Sequence, residues 1–335
     1  MSMAPEEEER ARSEWHARRA DEQEQKDYPD EVEVPSDKPA RERFARYRGL
    51  RSLRTSPWDP YENLPQTHHK IIHLGSPASS RAKALKTPEA AFEAGAYVTV
   101  HLERVPRDVA MSLQETCVGG MGTYKPLVLA GLAKYENRMG LVHFRVSSYR
   151  GESNAIRSKD TLVLVQGSRR FEIRPVFSEA SDTSSNHKML RFMPSTGSCV
   201  ASAYAPIWWG PSPVLLMQKH ASGALTLVAT GSTLPPNANR IILKRIVLSG
   251  LPFKIHKRKA TVRFMFYNPE DIRWFKAVEL WTKYGRRGII REPLGTHGYM
   301  KCTFDTPIAH HDTVCMSLFK RVFPPYPKDP SKQLF

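Results

Sequence analysis

A chain of 335 residues, 40% hydrophobic and 10% aromatic, is long enough for two ordinary domains with separate cores. Its formal charge of +16 is uneven: residues 1–40 hold thirteen acids against six bases, a net of −7, which leaves +23 on the other 295. That body suits a polyanion, nucleic acid before a membrane surface, while four scattered cysteines without C-x-x-C spacing argue against a disulfide framework or a zinc site. A soluble, intracellular chain with reduced thiols is expected, because no stretch nears the roughly twenty apolar residues of a membrane span and no signal-peptide core follows the N-terminal glutamates.

Residues 1–40 are rich in Glu, Arg, Gln and Asp, a composition that buries too little to offset its ordering entropy, and read as a disordered acidic segment. Residues 41–95 read as an extended Pro/Arg-rich segment and linker. Prolines at 57, 60 and 65 rule out a regular helix or central strand there, and Trp58, Tyr61 and Leu64 are expected to pin the segment to a folded body. From residue 97 onward, short β-branched and aromatic runs alternate with period two. They predict strands at 97–102, 141–147, 161–166, 171–177, 199–205, 214–218, 225–230, 241–249, 261–267, 278–282, 299–304 and 313–319. Helical pattern is scarce. It covers 106–117, with Val109 and Leu113 on one face, and a short helix opened by Asn268-Pro269-Glu270-Asp271, with Asn as N-cap, Pro at N1 and acids in the first turn. Many short strands joined by Gly/Pro turns predict an all-β fold of two antiparallel β-barrels rather than a doubly wound sheet. A break near 194–197 divides them into a first barrel over 96–194 and a second, basic barrel over 195–325, with a C-terminal tail over 326–335.

The stretch from Lys283 to Cys302 places five cations and four glycines in twenty residues between two predicted strands. Closely spaced glycines allow turns with positive φ and close backbone approach, and Arg and Lys suit phosphate oxygens. With Glu292 as its one acid, the stretch offers binding rather than catalysis, through Arg286, Arg287, Arg291 and Lys301, with His297 as a base-stacking or turn residue. A second basic cluster, Lys254, Lys257, Arg258 and Lys259, is bounded by Phe253, Ile255 and Phe264, which could supply a stacking plane for unpaired bases. The arginines Arg48, Arg51 and Arg54 complete the candidate RNA-binding set. Other motifs take blander readings. Gly119-Gly120-Met121-Gly122-Thr123-Tyr124-Lys125 has the wrong spacing for a phosphate-binding loop, with Pro126 where a helix should start. The pairs His68-His69 and His310-His311 read as exposed loop residues, since neighbouring histidines on a strand face opposite ways. There is no G-x-S-x-G elbow. Of Trp208 and Trp209, one is expected in a core and the other near the surface. Neither a catalytic residue, a metal site nor a cofactor is expected.

Arg48-Gly49-Leu50-Arg51-Ser52-Leu53-Arg54-Thr55-Ser56-Pro57-Trp58-Asp59-Pro60 resembles the arginine-rich segment of the twenty-S-rRNA-accumulation protein family, late assembly factors of the small ribosomal subunit. Tyr204-Ala205-Pro206-Ile207, Leu227-Val228-Ala229-Thr230-Gly231, Lys244 through Ile255 and Gly285 through Phe304 agree with it as well, so that the resemblance covers about 44–323. A related large GTPase of the same superfamily shares Pro252-Phe253-Lys254-Ile255 but lacks a counterpart to Glu292 through Gly298. The resemblance implies the C-terminal β-barrels that follow the G domain in translational GTPases, and the acidic head resembles the end of the acidic insertion before them. It also implies a non-catalytic factor in the nucleus and nucleolus, with passage to the cytoplasm on pre-40S particles. Its expected partners are precursor small-subunit rRNA, 40S ribosomal proteins and other assembly factors, and it would block premature translation-factor engagement. The alternative from another class is the effector half of a ribosome-assembly GTPase whose nucleotide-binding domain is absent from this chain, and a third is a pure protein–protein scaffold.

Overall fold

A computed structural model of the chain describes residues 31–34, 37–86, 92, 95–118, 131–149, 155–180, 186–220, 222–295 and 298–328. Residues 1–30, the 119–125 glycine loop, His297 and the tail after 328 lie outside the described residues. The strands in chain order are β1 (Met139–Ser148), β2 (Leu162–Gln166), β3 (Arg169–Ile173), β4 (Val176–Glu179), β5 (Asn186–Leu190), β6 (Ser198–Pro206), β7 (Pro213–Lys219) and β8 (Leu225–Leu234). They continue with β9 (Ile241–His256), β10 (Lys259–Arg263), β11 (Leu280–Thr282), β12 (Arg287–Pro293), β13 (Met300–Phe304) and β14 (Val314–Arg321). The α-helices are short: α1 (Ala40–Arg43), α2 (Pro77–Ala84), α3 (Arg107–Val118) and α4 (Pro269–Trp274).

The first unit is an antiparallel sheet in the order β4-β6-β1-β8-β7-β2-β3, curled so that β3 comes back beside β6. Small residues Ala201, Ala203 and Ala205 on one face of β6 leave room for Phe144, Leu162, Leu164, Phe171, Phe177 and Leu216. The opposite face of β1 and β6 is also covered, by Leu141 and Tyr204 packed with Ile71, and Tyr204 lies 5.5 Å from the Tyr326 ring. With both faces covered, every residue of β6 after Ser198 is buried, polar Ser202 included.

His143 sits in that covered face, opposite Ser202 across the β1–β6 pair. Its Nε2–H donates to the Asn237 carbonyl at 2.7 Å, and its Nδ1 accepts from the Ser202 hydroxyl at 2.8 Å. Burial, against the bond to Asn237 and with help from Arg240 and His187, pushes its pKa down to about 4. The unfolded chain binds a proton at this residue near pH 6.5, so its contribution is complete above that pH and is lost as the pH falls towards 4. From pH 7.5 to 4.5 it should remove about 2–3 kcal/mol of stability. Urea unfolding at both pH values should show His143→Gln losing correspondingly less on acidification than wild type; equal losses would contradict the assignment.

The second unit is a closed six-stranded barrel, β9-β10-β13-β12-β11-β14, with β14 returning to β9. Ile246, Leu248, Val262, Ile290, Met300, Phe304, Met316 and Leu318 fill it, and Phe266 stacks on Phe275 at 5.3 Å within the same core. Strand β5 joins the units: it runs antiparallel to β4 and parallel to the start of β9.

Several expectations change. The sheets divide at 235–240 rather than near 194–197, because β6, β7 and β8 bond to β1 and β2 and complete the first unit. The predicted strand at 97–102 is absent: Tyr97, Val98, Val100 and Leu102 are exposed and join no ladder, so the first unit starts at β1 rather than at 96. The predicted strand at 171–177 is interrupted at Arg174-Pro175, and β5 and β12 come from stretches where no strand was predicted. The acidic segment is not wholly outside the fold. The Val32 N–H donates to the Val247 carbonyl at 3.0 Å, Val34, Ala40 and Phe44 enter the barrel core, and buried Asp271 accepts from the Ala40 N–H at 2.8 Å. In the arginine-rich segment Trp58 is buried with Leu243 and Phe319, but Tyr61 is exposed. Asn186 of β5 fixes the segment by donating to the carbonyls of Leu53 and Ser56. Tyr326, assigned to the tail, packs on Tyr204.

Candidate nucleic-acid interface

Strands β10, β13 and β12 place cations from distant sequence positions on one outer face of the second barrel. Each strand alternates, so Ala260, Val262, Met300, Cys302, Gly288 and Ile290 point inward while their neighbours point to solvent. Register then sets the outward rows: Lys259 faces Thr303, which faces Ile289, and Thr261 faces Lys301, which faces Glu292. Arg291, at the bulge where β12 slips by one residue, stays outward and its Nε donates to Thr303 Oγ1 at 3.3 Å. Lys254 lies opposite Thr261 across the β9–β10 pair. The hairpin tip adds Lys257, at φ 52°, and Arg258, whose carbonyl accepts from the Phe304 N–H while its side chain is exposed. Lys254, Lys259, Arg291 and Lys301 therefore converge, and Glu292 is the acid among them. Lys301 pairs with it at 2.5 Å and holds its carboxyl below the usual range.

Other candidates are committed elsewhere. Arg286 does not project from the face; its guanidinium bonds to the fully buried Asp312 carboxylate, which also accepts from the Ala309 N–H at 3.0 Å. It anchors the β11–β12 turn. Arg286→Gln should remove about 2 kcal/mol by stripping a buried carboxylate of its counter-charge, while leaving RNA affinity within about two-fold of wild type. A lowered denaturation midpoint with unchanged RNA binding is the expected result; loss of binding without loss of stability would return Arg286 to the interface. Arg287 is half-exposed and paired with Glu279 at 3.1 Å. Arg48 also serves the fold: it exchanges backbone bonds with Phe319, pairs with Glu62, and sits 4.6 Å over the Trp58 ring. Arg51 and Arg54 are exposed, but they lie by the start of β9, roughly 40 Å of strand from its hairpin end. His297 is outside the described residues.

The glycines of the same stretch are divided in role. Gly298, at φ 70°, lies so close to the Phe266 carbonyl that a Cβ would come within 1.7 Å of its oxygen, so it serves packing rather than ligand approach. Gly285, at φ 81°, has open space around it and forms the β11–β12 turn.

A second basic patch escaped the sequence reading. Lys244 on β9 stands directly opposite Lys320 on β14, so two like charges face each other across the pair. Lys320 lies below its ordinary pKa through burial and then through Arg46 and Lys244. Lys159 is lowered likewise, by desolvation first and then by Lys244, Lys320 and Arg174. These residues are spread from 46 to 320, so only their register, not a motif, reveals them.

The remaining motifs do not form reactive constellations among the described residues. His68 is buried, contrary to the expected loop exposure, because it packs on His73 and Phe323 beneath Tyr204, and burial lowers its pKa to about 4. His310 and His311 are exposed. Trp209 is buried, its Nε1–H donating to the Lys134 carbonyl at 2.6 Å, while Trp208 covers Gly167. Cys199, Cys302 and Cys315 are buried free thiols, and burial pushes Cys199 and Cys302 up to about 12.

The chain matches the family model described as 40S ribosome biogenesis protein Tsr1 and BMS1 C-terminal over residues 32–324. It belongs to that family. The Xenopus laevis pre-rRNA-processing protein TSR1 homolog is 47% identical over 306 residues, which are 90% of this chain and 36% of that protein. The human homolog is 43% identical over 307 residues, 90% of this chain and 37% of that protein. The Schizosaccharomyces pombe ribosome biogenesis protein tsr1 is 40% identical over 333 residues, 97% of this chain and 41% of that protein. The chain thus spans about two fifths of the length of the relatives it matches. Among solved structures, apo translation elongation factor SelB from Methanococcus maripaludis aligns with 57% of this chain and 43% of its own, at a TM-score of 0.45 and 12% identity.

Proposed function

We propose that this chain is a non-catalytic docking module of a small-subunit ribosome biogenesis factor, gripping precursor small-subunit rRNA with the cationic face of its second barrel. The observation that carries this reading is the convergence of Lys254, Lys259, Arg291 and Lys301 on one rigid surface. Membership of the Tsr1 and BMS1 C-terminal family supports the ribosomal setting. Affinity comes from phosphate neutralisation and release of counterions, and the stiff barrel supplies shape fit rather than base-by-base readout. Ribosomal proteins of the 40S subunit and other assembly factors are its further partners. Held on the immature particle, the barrels would obstruct premature translation-factor engagement, with the chain nuclear and nucleolar at first and cytoplasmic on later pre-40S particles. Ultraviolet crosslinking of the protein in cells, followed by sequencing of the attached RNA, tests this. Enrichment of small-subunit precursor rRNA is expected; recovery of ribosomal proteins without rRNA would replace the reading with a protein scaffold.

A further inference from the structure

Beside the cationic face, the end of β10 carries an arrangement that phosphate binding does not require. Arg263 lies with its guanidinium carbon 4.8 Å from the Phe253 ring centre and 4.7 Å from that of Phe264. Both rings are open to solvent, Phe253 at 42% and Phe264 at 54% exposure, and Tyr299 meets the Phe253 ring edge-on at 5.4 Å. The Nε of Arg263 is buried without a hydrogen-bond partner, and among the described residues Arg263 forms no ion pair. Phe264 adopts φ 68°, a left-handed conformation that a bulky aromatic residue rarely takes. The fold thus keeps a disfavoured backbone while leaving the ring outside the core. Strain of this kind collects where a side chain must be presented. Lys254 stands 5.8 Å from the Phe253 ring on the hairpin that ends in Lys257 and Arg258, so an exposed apolar surface is rimmed with positive charge.

We propose that Phe253, Arg263 and Phe264 form a stacking platform for unpaired bases of RNA, with Lys254 and the hairpin cations guiding the adjoining phosphates. The inference rests on the RNA-binding reading above and narrows it to single-stranded substrate. A paired helix buries its base faces, whereas an unpaired nucleotide offers a π surface to a ring and a phosphate to the guanidinium. The charged rim favours RNA over an apolar protein partner, for which an uncompensated ring of cations would be a desolvation burden.

The test uses the 335-residue chain with a fluorescently labelled oligouridine of about twelve nucleotides and an RNA duplex of about twelve base pairs. Variants are Phe253→Ala, Phe264→Gly and the pair. Each substitution should weaken oligouridine binding roughly ten-fold, while duplex affinity and its salt dependence stay at wild-type values. Phe264→Gly should also leave the melting temperature unchanged or raised, because glycine accepts φ 68° without strain, and this separates lost stacking from lost folding. Oligouridine binding unaltered in the double variant would overturn the platform while leaving phosphate binding intact. Failure of the wild-type chain to bind either RNA would overturn the RNA reading itself. Displacement of oligouridine by polyglutamate, with the same dependence on both rings, would reassign the platform to an acidic protein segment.

Discussion

Gly231→Ala is expected to lower the melting temperature by roughly 5–10 °C, a large effect for a single methyl group. Gly231 lies in β8, between Val146 of β1 and Val214 of β7, with ladders on both sides. A Cβ built there would stand 2.1 Å from the Arg145 carbonyl oxygen and 2.9 Å from the Val146 Cα. These are backbone atoms of a paired strand, which cannot rotate away as a side chain does. Relief requires β8 to part from β1, at about 3–5 kcal/mol. Gly285→Ala is the matched control: it has free space and meets only the cost of its positive φ, about 1 kcal/mol. Thermal unfolding followed by circular dichroism should separate the two clearly. A Gly231→Ala protein melting within a degree or two of wild type would mean that β1 and β8 are not in this register.

The triple variant Lys254→Glu, Lys259→Glu and Arg291→Glu should reduce affinity for small-subunit rRNA a hundred-fold or more at about 0.15 M salt, with the fold intact. The three positions come from β9, β10 and β12, and all are exposed. The sequence separates Lys254 and Arg291 by 37 residues; only the order β9-β10-β13-β12 brings them to one surface. A reversal at the same number of exposed cations outside this face, such as Arg51 and Arg54 together with Arg191, serves as the comparison and should matter far less. Equal losses from the two sets would show that net charge, not this surface, drives binding.

Much of the fold was legible because strand periodicity is a local property. Runs such as those in β1, β6, β9 and β14 announce themselves through β-branched and aromatic residues, and α4 through Asn268-Pro269 and its acids. β12 was hidden because two of its inward positions are filled by glycine and a single isoleucine, so Gly288 under the Phe304 ring looked like loop material. β5, with Asn186, His187 and Lys188, carries no apolar alternation, since it is held by parallel pairing to β9 and by bonds to the arginine-rich segment. The opposite error arose at 97–102, where alternating residues find no partner strand among the described residues. The division between the units was misplaced for a similar reason: strand pairing is a long-range choice, and the turn signals near 194–197 say nothing about which sheet β6 joins.

The candidate interface was half legible. Charge composition pointed to a polyanion, and the clusters at 254–259 and 286–301 were visible as runs. What each cation does depends on its neighbours in space. Arg286 and Arg48 look like ligands in the sequence, yet Asp312, Glu62 and Trp58 claim them. Lys244, Lys320 and Lys159 look like ordinary surface residues, yet the β9–β14 register sets two of them face to face.

Salt titration of RNA binding tests the central claim most directly. Affinity of the 335-residue chain for a small-subunit rRNA fragment would be measured from about 0.05 to 0.3 M monovalent salt. On logarithmic axes the account predicts a straight line with a slope of about −3 or steeper, shallower by about 2 in the triple variant, since each lost phosphate contact removes roughly 0.7–0.9. A flat line for the wild-type chain, or one unchanged by the triple substitution, would contradict it.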